Sequence, residues 1–236
     1  MDTKSNDNVA VLFLHHMKSD VVMHNYELLK KFNKDVSIFP VGFEWHDLID
    51  GSHVVRRTDE LPNNYVLNKI LNTGTSSESD LLIYDFFLYH QDFSSYFVFE
   101  WDTYCNCSIK DYFKDGMEMD TFSAQTFPNE TVKNWSWYGF LSDSQKMMPN
   151  IGGTYPTSGL YYKRHVLTGM LDLLLNNPRV YDNIQNEMRL GTLIQQAGYK
   201  LKECGGDTIQ FYEMTHYRPN IKSGVKGYYH PIKTIL

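Results

Sequence analysis

Two acidic residues, Glu100 and Asp102, stand two positions apart directly after an apolar run, Tyr96–Phe99. The run has the composition of a buried strand, so the carboxylates would lie at its carboxyl end, the edge where open α/β sheets bind ligands. Mg²⁺ and Mn²⁺ prefer such oxygen ligands and can bridge them to a diphosphate, whose developing charge they stabilise. The pattern predicts a divalent-metal site for a nucleoside diphosphate, although an ordinary solvated loop has the same pattern.

Near the end of the sequence, His230-Pro231-Ile232-Lys233 combines a metal-binding and a phosphate-binding side chain. A neutral imidazole at His230 can coordinate a divalent ion, and the ammonium group of Lys233 can bind phosphate as a point charge. Pro231 favours extended backbone, so both side chains could face one pocket. A histidine near a terminus is often merely exposed, and this segment gains weight only beside the acidic pair.

Together, Glu100-Trp101-Asp102 and a histidine about 130 residues further on resemble the arrangement in GT-A glycosyltransferases, with glutamate at the first position of their Asp-X-Asp motif. The resemblance implies transfer of a sugar from a nucleotide-sugar donor, above all a UDP-sugar, to a glycan or other hydroxyl acceptor. It implies that Asp102 and His230 bind Mn²⁺ or Mg²⁺. Glu100 would act through the ribose, a water or a second metal contact, and Lys233 would contact the diphosphate.

Further donor-binding candidates come from strand ends and from a glycine-rich segment. His15 follows the first apolar run, where the resemblance places the base and ribose of the nucleotide. Asp85 follows another apolar run and could face the nucleotide. Gly153 and Thr154 belong to Asn150–Gly159, whose glycines permit close backbone approach and whose N–H groups could bind hydroxyls or phosphate. A plain loop is the equal alternative for that segment.

Glu187, early on an expected helix, is the candidate catalytic residue. By resemblance, inverting GT-A enzymes often place a carboxylate at a comparable point as the base for the acceptor hydroxyl, and a base must reach the proton that it accepts. The alternative is a surface glutamate paired with a lysine or arginine. Trp135, Trp137 and Tyr138 could stack against an acceptor or form a small satellite core.

Short apolar runs alternate with helical patterns, which indicates a mainly parallel sheet with helices on its faces. We expect strands at Val9–Leu14, Val36–Phe43, Ser79–Phe87 and Tyr96–Phe99, and helices at Tyr26–Phe32, Tyr65–Leu71, Val166–Leu175 and Tyr181–Ala197. An irregular stretch should run from Asp115 to Gly159, and a surface tail from Lys222 to Leu236. The sequence predicts a single three-layer Rossmann-like α/β domain over 1–236 with a mainly parallel mixed sheet, its nucleotide-binding part at about 1–110 and its acceptor and catalytic part at about 111–236.

Composition limits the function further. The 236 residues, 42% of them hydrophobic, suffice for a sizeable core, and a net charge of −6 argues against a general nucleic-acid binder. Three cysteines suit neither a disulfide framework nor a four-ligand zinc site. The apolar runs are too short to span a bilayer. We therefore expect a reduced, cytoplasmic protein without a membrane span.

Two rival functions stay open at this point. A sugar nucleotidyltransferase would carry a glycine-rich basic loop after the first strand, where this sequence has Leu14-His15-His16-Met17-Lys18. A non-enzymatic carbohydrate-binding protein would explain an aromatic content of 15%, but such modules are usually all-β and need no acidic pair at a strand end. The glycosyltransferase interpretation accounts for more of the residues than either.

Overall fold

The computed structural model describes residues 8–56, 79–123, 125–154, 158–177, 181, 184–204, 209–211 and 227–230, with backbone alone for 158, 159, 209–211, 228 and 230. Its helices are α1 Asp20–Phe32, α2 Ser79–Tyr89, α3 Ile109–Tyr112, α4 Lys114–Met117, α5 Asp143–Lys146, α6 Arg164–Asn176 and α7 Asn186–Gln196. Its strands are β1 Val9–Leu14, β2 Ser37–Phe43, β3 His53–Val55, β4 Ser95–Glu100, β5 Tyr104–Cys105, β6 Thr121–Phe122, β7 Thr126–Phe127, β8 Gly153–Thr154, β9 Ser158–Lys163, β10 Ile209–Phe211 and β11 Tyr228–His230. None of the helices described is both long enough and apolar enough to cross a membrane.

The central sheet has six strands in the order β3-β2-β1-β4-β9-β6. β1 pairs in parallel with β2 and β4, and β2 pairs in parallel with β3. β9 runs antiparallel to both β4 and β6. Two smaller sheets have the orders β10-β11-β5 and β7-β8. The mainly parallel mixed sheet confirms the predicted fold class.

Helices cover both faces of the sheet, because alternate side chains of each strand point to opposite sides. On one face, Val11 and Phe13 of β1 pack with Leu29 of α1. On the other face, Leu12 packs in a larger core to which α2, α6 and α7 contribute. All six residues of β1 are buried, as expected of a parallel strand covered on both sides. The result is the three-layer arrangement that the sequence predicted.

The predicted third strand, Ser79–Phe87, is wrong: this segment is helix α2, Ser79–Tyr89. The side chains from Asp80 to Phe87 are all buried, so the helix is apolar around most of its circumference. A helix buried on all sides lacks the 3.6-residue alternation of apolar and polar positions, and a short apolar run then looks like a buried strand. The other three predicted strands are confirmed within one residue.

Helix boundaries follow local capping. The predicted helix Tyr181–Ala197 begins only at Asn186, because the Gln185 side chain accepts hydrogen bonds from the first free amides. It ends before Gly198, whose φ of 90° few other residues tolerate, as the sequence predicted. The predicted surface tail is wrong at Tyr228–His230, which forms β11 inside a small sheet. The predicted helix Tyr65–Leu71 lies outside the described residues.

Candidate functional site

A cleft of about 470 Å³ opens at the carboxyl ends of β1, β2 and β4. These are the adjacent parallel strands whose ends form the ligand edge of an open α/β sheet. The amino ends of α2 and α7 also line it. The residues lining the cleft are Leu14, His15, His16, Phe43, Trp45, His46, Ser79, Leu82, Glu100, Trp101, Gln185, Asn186 and Glu187. Three predicted site residues, His15, Glu100 and Glu187, therefore meet in one cavity.

His15 is held in a fixed orientation at the end of β1. Its Nε2 lies 3.0 Å from Ser52 Oγ, and that hydroxyl donates to the carbonyl of Ile49 at 2.6 Å. Since the single hydroxyl proton is used on Ile49, Ser52 Oγ accepts a hydrogen bond from the His15 Nε2–H. Burial lowers the pKa of His15 to about 4. His15 is therefore a neutral imidazole at physiological pH.

We expect His15 to make the fold sensitive to acid. The unfolded imidazole takes up a proton near pH 6.5 but the native one only near pH 4, so the free energy of unfolding falls as the pH is lowered through this interval. The loss between pH 7 and pH 5 should be about 1 kcal/mol, less than the full linkage value because the cleft is open to solvent. His15→Gln, which keeps a donor for Ser52, should flatten this part of a urea-denaturation pH profile. Burial also lowers the pKa of His46 and His90. The free energy of unfolding of His15→Gln should therefore still fall somewhat as the pH is lowered.

The acidic motif forms a β-turn between β4 and β5. The Thr103 amide donates to the Glu100 carbonyl at 2.9 Å, which places Trp101 and Asp102 at the corner. The Asn25 side chain of α1 fixes this turn by donating to the Trp101 carbonyl at 3.0 Å. Glu100 is half-buried and lines the cleft, whereas Asp102 is 4% exposed and is not among the described lining residues. The two carboxylates thus share one rigid turn but differ in their exposure to the cleft.

The small sheet brings the C-terminal segment to the acidic turn. β11 is antiparallel to β5, with Tyr228 opposite Cys105 and Tyr229 opposite Tyr104. This register ends at the pair Tyr229–Tyr104, and the backbone of His230 pairs with Phe211 of β10 on the other side. The side chain of His230 is not described, and Lys233 lies outside the described residues. The joint role of Asp102 and His230 as metal ligands stays a prediction.

Glu187 stands in the first turn of α7, facing the cleft. Gln185 Oε1 accepts from the amides of Glu187 and Met188 at 2.8 and 3.3 Å, so it caps the helix. A carboxylate at this end is favoured by the helix dipole. Sequence reasoning missed Gln185 and Asn186 as lining residues, although polar side chains before a helical pattern are the expected capping signal.

Sequence reasoning also missed Trp45 and His46, which form an aromatic wall on the β2 side of the cleft. Trp45 stacks face to face on Phe43, with ring centroids 4.5 Å apart and an interplanar angle of 6°, and Trp45 remains 49% exposed. His16 packs edge-on against Trp101 at 5.1 Å and against His46 at 6.0 Å. Trp45 and His46 follow β2 closely, so the strand-end rule that singled out Glu100 would have found them too.

Asp85 does not reach the cleft lining. It lies on α2, where its Oδ2 is 2.8 Å from His53 Nε2 on the edge strand β3. Its position follows from the helix that replaces the expected strand. The donor-binding role of Asp85 stays a prediction.

Gly153 and Thr154 form β8, which packs tightly against α7 rather than lining the cleft. Thr192 of α7 donates to the Gly152 carbonyl at 3.1 Å, and its hydroxyl accepts from the Gly152 amide at 3.2 Å. A Cβ at Gly153 would meet the ring of Trp135, which itself stacks on Phe127. The glycines thus permit close packing here. Their donor-binding role stays a prediction.

Gly191→Ala should destabilise the fold by about 1–3 kcal/mol, because an added Cβ would lie 2.6 Å from backbone atoms of Gly153. Gly169→Ala on α6 is a matched control, since its Cβ would meet Ala197 at an ordinary 3.5 Å. That change should be neutral or stabilise by up to about 1 kcal/mol. Urea denaturation of both variants measures the difference. Equal stability of the two would show that β8 and α7 do not pack this closely.

The metal prediction rests on oxygen ligands and one histidine. Among the side chains that the structure describes, no three His, Cys, Asp or Glu residues are arranged to hold a metal. The second of the two predicted ligands, His230, has an undescribed side chain. The donor set that the turn and β11 could supply, carboxylate oxygens plus an imidazole, suits Mn²⁺ or Mg²⁺.

No protein-family model matches the chain, and no curated protein matches it. Among solved structures, the galactosyltransferase LgtC in complex with donor and acceptor sugar analogues has a TM-score of 0.50 at 7% identity, covering 85% of this chain and 75% of LgtC. The apo form of mouse xyloside xylosyltransferase 1 has a TM-score of 0.49 at 12% identity, covering 94% of this chain and 97% of the mouse protein. At such identity the likeness to LgtC concerns the fold alone. Together with the strand order and the strand-end cleft, it shows that this chain has the GT-A glycosyltransferase fold.

Proposed function

We propose that this protein is a metal-dependent glycosyltransferase that moves a sugar from a nucleotide-diphosphate donor, first of all a UDP-sugar, to a glycan or other hydroxyl acceptor. The observation that carries the proposal is the cleft at the carboxyl edge of the sheet, where Glu100, Glu187 and His15 converge. LgtC was solved with donor and acceptor sugar analogues. We infer that the cleft here likewise takes both substrates, in the synthesis of a polysaccharide or a glycoprotein glycan.

The charge of the cleft supports a role for a cation. Glu100 and Glu187 line it, and no lysine or arginine is among the described lining residues. A diphosphate beside these carboxylates would be repelled without a positive charge between them. Asp102 and His230 would hold Mn²⁺ or Mg²⁺, with Glu100 reaching the ribose or a water. Bound there, the ion would neutralise charge on the leaving diphosphate.

The shape of the cleft suggests where the donor lies. The half-exposed ring of Trp45, backed by Phe43, offers a flat apolar face to a nucleobase or to the C–H face of a sugar. The neutral ring of His15 adds no charge to the cleft. Lys233 would contact the diphosphate from the C-terminal segment. The donor would thus run from the aromatic wall towards the acidic turn.

Glu187 would act as the general base in an inverting transfer. The acceptor oxygen forms a bond to the anomeric carbon as the bond from that carbon to the diphosphate oxygen breaks. The acceptor proton passes to the Glu187 carboxylate, and the bonding electrons leave with the diphosphate. Glu187 lines the same cleft as Glu100, so an acceptor bound in the cleft would have its hydroxyl near the start of α7.

The proposal is tested by titrating the protein with a panel of nucleotide sugars, with Mn²⁺, with Mg²⁺ and with a chelator, and following heat of binding. We expect at least one nucleotide sugar to bind, with an affinity at least about tenfold higher in the presence of the metal. Binding of free sugars without any nucleotide binding would favour a carbohydrate-binding protein instead.

A further inference from the structure

One wall of the cleft is built from two helix ends that are far apart in sequence. Ser79 and Leu82 come from α2, and Gln185, Asn186 and Glu187 come from the start of α7. Asn186 Nδ2 donates to Ser79 Oγ, which joins the two ends at the surface of the cleft. The shape of this wall therefore depends on how α2 is held against α7.

A fully buried ion pair lies under this wall. Arg189 Nε and Nη2 donate to the two carboxylate oxygens of Asp80 at 2.7 and 2.6 Å. The side chains are 2% and 0% exposed. The remaining guanidinium nitrogen, Nη1, donates to the carbonyl of Ile184 at 2.7 Å. A planar guanidinium with all three nitrogens bound allows little freedom of orientation.

The two hydrogen-bond partners of Arg189, Asp80 and Ile184, are each next in sequence to a residue that lines the cleft. Asp80 is the second residue of α2, next to Ser79. Ile184 is the residue just before the capping Gln185, whose side chain holds the amides of Glu187 and Met188. Arg189 therefore ties the entry of α7 to the start of α2. A change in this pair would be transmitted directly to the turn that carries Glu187.

Stability alone is a poor reason for such a pair. Buried ion pairs can often be replaced by apolar side chains without loss of stability, because desolvation of the charges offsets their attraction. The surroundings here are strongly desolvating, since burial raises the pKa of Tyr84 and Tyr162 beside the pair well above the usual range. What the pair provides beyond an apolar contact is a fixed geometry.

We propose that the Asp80–Arg189 ion pair is a positioning device that fixes the turn Gln185–Glu187 against α2, so that Glu187 faces the cleft in one orientation. The effect of the ion pair on catalysis rests on the proposed glycosyltransferase function. The effect on the turn Gln185–Glu187 does not rest on that function, because it involves only the contacts of Ile184 and Gln185. Asp80 and Arg189 are positioning residues, because neither lines the cleft.

The test compares two variants with a matched control. Asp80→Asn/Arg189→Gln removes both charges together, so that neither is left buried alone. Arg189→Lys keeps the charge but loses the planar fork. The control is Tyr181→Phe, which removes the hydrogen bond of Tyr181 to Gln196 at the far end of α7. Amide hydrogen exchange at Glu187 and Met188 reports on the turn, and steady-state transfer kinetics report on catalysis.

We expect both variants of the pair to speed exchange at these amides at least about tenfold, and to lower kcat at least about tenfold with donor KM changed less than about threefold. Tyr181→Phe should change neither. Unchanged exchange in both variants of the pair would overturn the proposal, as would faster exchange with an unchanged kcat. If the parent protein transfers no sugar, the proposed function fails, and the exchange rates alone decide whether the pair positions the turn.

Discussion

Replacing Glu187 by glutamine should lower the rate of sugar transfer by about 10²–10⁴-fold, the usual worth of a general base. Glutamine has nearly the shape of glutamate but cannot accept the acceptor proton. Donor affinity should stay within about threefold, because the proposed donor contacts are at the acidic turn and the C-terminal segment and not at Glu187. The measurement is single-turnover transfer beside calorimetric donor binding.

Glu44→Gln is the matched control for this experiment, since Glu44 is an exposed acid that follows β2 but does not line the cleft. It should transfer sugar at the parental rate. If Glu187→Gln also does so, the base is another acid or none. A retaining mechanism, in which the leaving phosphate serves as the base, would then be the better account.

Replacing Asp102 by asparagine should weaken nucleotide binding in Mn²⁺ by at least about tenfold, a loss of ~1.4 kcal/mol or more. The substitution preserves the shape of the turn but removes the charge that a divalent ion requires. In the presence of a chelator, parent and variant should bind equally, which separates metal loss from damage to the fold. Asp111→Asn, a change at an exposed acid, should leave the Mn²⁺ dependence unchanged.

The assignment of Asp102 as a metal ligand is contradicted if Asp102→Asn binds the donor as the parent does, with the same Mn²⁺ dependence. Because Glu100 and not Asp102 lines the cleft, Glu100→Gln belongs in the same titration. If Glu100→Gln loses more Mn²⁺-dependent donor affinity than Asp102→Asn does, Glu100 is the direct metal ligand.

The sequence predicted the parts of the fold that local patterning controls. β1 and β4 are continuous apolar runs bounded by polar residues, and the strand-end rule then placed Glu100 at the ligand edge. The prediction of a strand was wrong at α2, because the residues Asp80–Phe87 are all buried and show no alternation of apolar and polar positions. The sequence also provided no sign that Asp80 is buried, because the arginine that pairs with it, Arg189, lies 109 residues further along the chain.

The site was predicted less completely than the fold. Glu187 reaches the cleft because α7 packs against α2 and β8, and a contact between distant elements cannot be read from the spacing of residues. The aromatic wall of Trp45 and His46 depends on the return of β2 beside β1. Gly153 shows why a glycine is an ambiguous signal, because its close approach to the Trp135 ring demands glycine as strongly as a phosphate-binding loop would.

The central claim, sugar transfer from a nucleotide donor, is tested most directly by incubating the protein with nucleotide sugars, Mn²⁺ and a set of glycan acceptors, and identifying the products by mass spectrometry. We predict release of a nucleoside diphosphate together with an acceptor that has gained one sugar, and loss of both products in Glu100→Gln/Asp102→Asn. A parallel incubation contains a nucleoside triphosphate and a sugar phosphate instead. Formation of pyrophosphate there, with no transfer from any nucleotide sugar to any acceptor, would contradict the account and favour a nucleotidyltransferase.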